Sequence, residues 1–243
     1  MGISNIKTNK LGELYTRLMF SNYDNLVFLS KGEKEHISKS FTKYNYKMHY
    51  MPFSIDLEFW KNQQKQQIKK NIILFNGNDL QRDYSFLQDL IDRLPQYKFI
   101  VLSKRFDTSS ANVELLETNM RNPKISDIEL KNLYSKCFVS IIPLIQTKQP
   151  SGQSVAMQSM AMGVPVVMTN TEGLWDKELF KNEENIFLTS NNLKLWVEII
   201  DKIHYEAEIA YQISVNALTT LKNNYSETKI KRNFMTLLEK DVN

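Results

Sequence analysis

The stretch from Pro150 to Val167, PSGQSVAMQSMAMGVPVV, constrains the fold more than any other. It reads as a polar, glycine-containing turn, a buried helix, a glycine stop at Gly163 and a buried strand. A helix that opens with Ser151-Gly152-Gln153-Ser154 presents free backbone N–H groups and the positive end of its dipole, which suits an anion such as a phosphate. The helix body is apolar almost all round, through Val155, Ala156, Met157, Met160, Ala161 and Met162. Ser154 and Gln158, one turn apart, form a polar stripe continuous with that terminus. Two readings stand: a ligand site, or a core helix with an ordinary cap.

Around this unit, strand-like apolar runs alternate with helical patterns. Strands are expected at Leu26–Leu29, Met48–Met51, Ile72–Phe75, Tyr97–Leu102, Val113–Leu116, Phe138–Pro143, Val164–Met168 and Asn185–Leu188. Helices are expected from a Ser30 cap to about Phe41, over residues 83–93, and from a cap at Ser126 or Asp127 to Ser135. Leu193–Leu238 reads as helical, with one apolar face from Trp196, Ile199, Ile200 and Ile203 and another from Phe234, Leu237 and Leu238. Lys61–Lys70 is a Gln/Lys-rich polar stretch, read as an exposed connection or a loosely held helix end. From residue 72 the repeated strand–helix–strand order predicts an α/β, Rossmann-like parallel sheet with helices on both faces. Ligands of such sheets bind at the carboxyl ends of strands, near a switch in strand order.

Composition narrows the functional classes. With 42% hydrophobic and 24% charged residues, the chain is an ordinary globular protein. A net charge of +4 permits a nucleotide, a polyphosphate or an anionic membrane surface. No nucleic-acid role is expected, because basic and aromatic residues do not cluster. The single cysteine, Cys137, forbids an intrachain disulfide and reads as a core strand residue. No apolar run reaches membrane-spanning length and no signal peptide is evident, so a cytoplasmic location is expected, with membrane contact at most peripheral. No Asp-x-Asp and no His/Cys cluster has metal-ligand spacing, so no metal is expected. His36, His49 and His204 are scattered and read as structural.

The run Ser159-Met160-Ala161-Met162-Gly163-Val164-Pro165-Val166-Val167 resembles the nucleotide-sugar helix and following strand of the family 4 glycosyltransferases, which have the two-domain GT-B fold. That resemblance implies a retaining, metal-independent sugar transferase with a nucleotide-diphosphate sugar as donor and no cofactor. It places a family Glu on Gln158, and another near Pro150, where it is absent. An amide at Gln158 can accept from one ribose hydroxyl and donate to the other. The loop Asn76-Gly77-Asn78-Asp79-Leu80-Gln81-Arg82-Asp83 stands where the family has Gly-Arg and then a Lys. Asn78 replaces the Arg, and Arg82 takes the role of the Lys on the diphosphate; alternatively it pairs with Asp83 or Asp79 at the surface.

Through the same resemblance the nucleotide-sugar contacts are Gly77, Arg82, Lys104, Ser151, Gly152, Gln153, Ser154, Gln158 and Glu172, with base contacts near Leu116–Asn122 and no catalytic residue assigned. Residues 1–52 resemble a remnant of the amino-terminal acceptor domain and the interdomain passage. Residues 53–225 resemble the donor domain, and 226–243 the final helix that crosses back. Most of the acceptor domain is not in this sequence, which implies a truncated chain or a half that works with a separate acceptor-domain subunit or as a homodimer. The acceptor would be a glycan or a lipid-linked molecule, and turnover by this half alone is expected to be slow. Leu14, Leu18, Met19 and Phe20 are expected to carry an apolar surface left by the missing domain. A module that binds a nucleotide or a partner without transferring sugar is the alternative.

Overall fold

The computed structural model describes residues 10–62, 71–117 and 125–239. Residues 1–9, most of the Lys61–Lys70 connection, most of the expected base-contact segment and residues 240–243 of the expected final helix lie outside them.

The main body is a six-stranded, fully parallel sheet in the order β5-β4-β3-β6-β7-β8. Its strands are β3 (Ile72–Asn76), β4 (Lys98–Leu102), β5 (Val113–Leu116), β6 (Val139–Ile142), β7 (Val166–Thr169) and β8 (Phe187–Thr189). The chain starts in the middle at β3, runs outward to β5, then returns to β6 on the other side. The strand order therefore switches between β3 and β6, where doubly wound sheets open a crevice at their carboxyl ends.

Side chains alternate along the strands, as the two-residue period requires. Ile73 and Phe75 of β3, with Phe99 and Val101 of β4, join the core that packs under α3 (Tyr84–Arg93) and α6 (Leu193–Tyr205). Leu74, Ile100 and Leu102 point the other way, into the core under α4 (Asp127–Lys136) and α5 (Gln153–Ala161). α7 (Ala207–Asn224) reaches both cores through Ile213 on one side and Ala217 and Leu221 on the other. Both layers are covered, which is why the central strands read as continuous apolar runs.

Local chemistry sets the helix ends. Asp83 caps α3 by accepting from Phe86 N (3.0 Å), and Ser126 forms a reciprocal capping box with Glu129 on α4. Cys137 is buried but caps the end of α4 rather than lying in β6; its thiol donates to Tyr134 O. The expected strand at Phe138 therefore begins one residue later.

Residues 10–50 form a smaller unit: α1 (Lys10–Ser21), β1 (Leu26–Phe28), α2 (Lys31–Ser40), a 3-10 segment (Thr42–Lys47) and β2 (Met48–Tyr50), with β1 and β2 paired in parallel. Its core is Phe20, Phe28, Ile37, Phe41, Tyr44 and Met48. Phe20, expected at the surface, is instead buried edge-to-face against Phe41 and Tyr44. Met19 is only partly exposed, whereas Leu11, Leu14, Tyr15 and Leu18 form an outward apolar stripe. α1 thus buries its Thr16/Phe20 side and exposes its more apolar one.

Lys31 fastens this unit to the main body. Its N–H donates to Trp175 O (2.9 Å) and its ammonium lies 3.0 Å from the buried Asp176 carboxylate. α8 (Glu227–Glu239) closes the structure, lining a cleft of about 290 Å³ together with His49, Tyr50 and Met51. Phe234 and Leu238 of α8 remain exposed.

Candidate functional site

Two loops meet at the switch point. The loop after β3 is tied to the segment after β6 by Asp83 N to Pro143 O (3.0 Å) and Ile145 N to Gln81 O (2.9 Å). Asn191 braces the junction from below, donating to Asp83 Oδ2 (2.8 Å) and Leu144 O (3.0 Å) and accepting from the Thr169 hydroxyl (2.6 Å). Between the loops and the start of α5 lies a cleft of about 460 Å³.

Gly152 is the pivot on which α5 turns in. Its φ of +80° is left-handed, and a Cβ there would stand 2.7 Å from Ile142 Cγ2. Only glycine fits both the conformation and the space. The first hydrogen bond of α5 runs from Ala156 N to Gly152 O (2.9 Å). The N–H groups of Gln153, Ser154 and Val155 therefore have no acceptor within the helix. No side chain caps this end, and all three residues line the cleft.

Arg82 is the cation of the cleft. Its side chain is 3% exposed, yet it comes from a surface loop. Nη1 donates to Ser151 Oγ (3.2 Å), and Nη2 donates to Asn76 O (3.3 Å) and lies 3.5 Å from Asp79 Oδ2. The guanidinium packs so tightly on Gly77 that a Cβ there would sit 2.0 Å from Nε. Burial pulls the Arg82 pKa below its ordinary value and the Asp79 charge opposes that pull. Arginine stays ionised through such shifts, so a positive charge is held in a largely dry wall. Asp79 is the partner; Asp83 is occupied with capping α3.

Several buried polar atoms around the cleft have no protein partner: Arg82 Nε, Gln149 Nε2 and both side-chain polar atoms of Gln153, a residue only 2% exposed. Buried polar groups are nearly always satisfied, so such a concentration on one cleft marks a place for a polar ligand or ordered water.

The structure brings together six of the nine residues expected from sequence: Gly77, Arg82, Ser151, Gly152, Gln153 and Ser154 line one cleft. Three stand outside its lining. Lys104 is exposed beyond β4, where its N–H is held by Asn78 Oδ1 (2.8 Å). Gln158 lies a turn further along α5, its Oε1 within 3.4 Å of the Tyr134 hydroxyl. Glu172 is 71% exposed and its carboxylate lies 3.9 Å from the Lys148 ammonium. The cleft adds Phe53, Asn76, Asp79, Gln81 and Gln149, which were not singled out as contacts. Asp79 and Gln81 carried a signal, since both flank Arg82 in the polar loop. Gln149 adjoins the Pro150–Val167 stretch but was not singled out, and Phe53 comes from a distant segment and carried no signal.

Comparison with known proteins bears on the fold and the family. The chain resembles HepE of Anabaena, solved with UDP and glucose, at a TM-score of 0.75 and 14% identity, covering 98% of this chain and 67% of that one. It resembles a glycosyltransferase from Rickettsia africae at 0.74 and 16%, covering 95% and 67%. It also resembles a sucrose-phosphate synthase from Thermosynechococcus elongatus at 0.76 and 17%, covering 96% and 62%. The chain thus spans 62–67% of the length of these three proteins. No curated protein matches it in sequence. The architecture is that of GT-B glycosyltransferases. The profile of the glycosyl transferases group 1 matches residues 72–204, more than half of the chain, and so the protein belongs to that family.

Proposed function

We propose that the chain is the donor-binding half of a retaining, metal-independent family 4 glycosyltransferase that uses a nucleotide-diphosphate sugar. The observation that carries this reading is the cleft at the switch point. It joins a buried guanidinium, the uncapped N-terminus of α5 and the unpartnered side chain of Gln153.

Bond cleavage at the sugar moves negative charge onto the departing diphosphate. Groups fixed in advance around that charge lower the barrier, and they do so most in a dry site. Arg82 and the N–H groups of Gln153, Ser154 and Val155 are such groups, and they supply the counter-charge without a metal. The family resemblance would put Gln158 on the ribose and Lys104 and Glu172 near the donor, although all three stand outside the lining of the cleft. UDP and glucose occupy HepE, which supports a uridine donor as the first to be tried.

In this reading residues 1–52 belong to the acceptor side, 53–225 hold the donor and 226–243 cross back. A glycan or lipid-linked acceptor, in polysaccharide or glycoconjugate synthesis, enters from the side of the smaller unit. The exposed stripe of Leu11, Leu14, Tyr15 and Leu18, with Phe234 and Leu238 on α8, fits a further subunit or a second copy. A cytoplasmic location, with at most peripheral membrane contact, belongs to the same reading. No helix among the described residues is long and apolar enough to cross a membrane. A second reading, a module that binds a nucleotide or a partner without transfer, has one observation in its favour. Pro150 and Gln158 stand where the resemblance places carboxylates.

The test is titration calorimetry with UDP, GDP and ADP, with and without a chelator. Binding of at least one, unaffected by chelator, is expected. No binding, or binding abolished by chelator, would refute the proposal. Binding without measurable sugar transfer or donor hydrolysis, even with the acceptor half supplied, would favour the second reading.

A further inference from the structure

Resting on the reading of the cleft as a nucleotide-sugar site, the geometry points to Asp79 as a specificity-determining residue that disfavours the spent nucleoside diphosphate relative to the intact donor. Asp79 contributes the only carboxylate among the residues lining the cleft, and Arg82 the only cation. Both Asp79 oxygens are engaged. Oδ1 accepts from the Ser151 hydroxyl (2.9 Å) and from Gln81 N (3.0 Å), and Oδ2 lies 3.5 Å from Arg82 Nη2. Ser151 Oγ in turn accepts from Arg82 Nη1 (3.2 Å).

Two consequences follow. Asp79 takes the single proton of Ser151, so that hydroxyl offers an incoming phosphate no donor while the triangle stands. Asp79 also stands beside the guanidinium as a resident anion, 40% exposed where the ligand must enter. A carboxylate in that place repels any phosphate, in proportion to its charge. The diphosphate of a nucleotide sugar is esterified at both ends and carries two negative charges. The free nucleoside diphosphate gains a terminal ionisation and carries close to three at neutral pH. Asp79 therefore weakens the product more than the donor, and the site lets go of what the reaction leaves behind. One extra charge at this range, partly screened, corresponds to on the order of threefold to tenfold in affinity.

The experiment compares the protein with its Asp79→Asn variant, which keeps size and an accepting oxygen but loses the charge. Both are titrated with UDP and UDP-glucose, with GDP and GDP-mannose, and with ADP and ADP-glucose, so the base need not be known beforehand. The expected result is tighter binding of both members of the pair that binds. The diphosphate gains about threefold to tenfold more than the sugar nucleotide, and the difference shrinks at high salt. Asp79→Ser, which also removes the charge, should shift the ratio in the same direction. An unchanged ratio in both variants, or weaker binding of the diphosphate, overturns the inference while leaving the nucleotide site intact. Binding of none of the six ligands by the unmodified protein overturns that site, and this inference with it.

Discussion

Gly77→Ala is the substitution whose consequence follows most directly from the structure. The added Cβ would lie 2.0 Å from Arg82 Nε and 2.8 Å from Cδ, and its nearest neighbours are all atoms of Arg82. Ordinary contact is about 3.5 Å, so the side chain must retreat by roughly 1.5 Å. The hydrogen bonds to Ser151 Oγ (3.2 Å) and Asn76 O (3.3 Å) are already long and do not survive that shift. Hydrogen bonds to a charged group are worth about 1.5–3 kcal/mol each. Some recovery by solvation of the displaced guanidinium leaves a net cost of about 2–3 kcal/mol. The assay is urea unfolding of the protein, the Gly77→Ala and Arg82→Ala single variants and the double variant. In the Arg82→Ala background the obstructing side chain is gone, so Gly77→Ala should cost less than about 0.5 kcal/mol, a coupling of about 2 kcal/mol. The same cost for Gly77→Ala in both backgrounds would show that the glycine serves some other constraint, and would refute this account of how Arg82 is seated.

Two further predictions concern regions outside the cleft. Tyr50 sits beside Asp176, and burial, aided by that carboxylate's charge, pushes its phenol up to about 12. A group whose folded pKa is raised keeps its proton longer when folded, so stability falls as pH rises from 10 to 12, by about 1–2 kcal/mol after solvent screening. Tyr84, Tyr97, Tyr134 and Tyr225 are raised by burial as well, so Tyr50→Phe should make that limb of the stability–pH curve shallower by Tyr50's share without removing it, and an unchanged slope would contradict the assignment. Leu14→Glu with Leu18→Glu on the exposed stripe should change stability by no more than about 0.5 kcal/mol per site. The pair should abolish any self-association or partner capture seen by sedimentation; a large drop in thermal midpoint would mean the stripe is packed inside the protein.

Much of the fold was legible because each buried strand is a short apolar run and four of the helices carry a side-chain cap at their start. Ser30, Asp83, Ser126 and Asn192 all cap helices through their own side chains. α1 was harder. Leu14, Leu18, Met19 and Phe20 look alike in a list, but residues two apart on a helix are rotated by about 200°. Phe20 therefore turns into the small core while Leu18 faces out. Gln158 is set apart by rise along the helix rather than by rotation. It shares a face with Ser154, but the cleft ends before its turn of the helix. The open amino terminus of α5 could be read from the local Ser-Gly-Gln-Ser turn, and Arg82 was singled out through the family resemblance. Arg82's burial, its seat on Gly77 and its triangle with Ser151 and Asp79 depend on two loops separated by about seventy residues of chain, and no local pattern encodes that meeting.

The central claim is that the cleft between β3, β6 and α5 binds a diphosphate through Arg82. Titration of the protein and of Arg82→Ala with a matched nucleoside and nucleoside diphosphate tests it most directly. The account predicts that the diphosphate loses about tenfold to a hundredfold in affinity, equivalent to about 1.4–2.8 kcal/mol, while the nucleoside changes by less than about twofold. Equal losses for both ligands, or no loss for the diphosphate in a variant that remains folded, would contradict it.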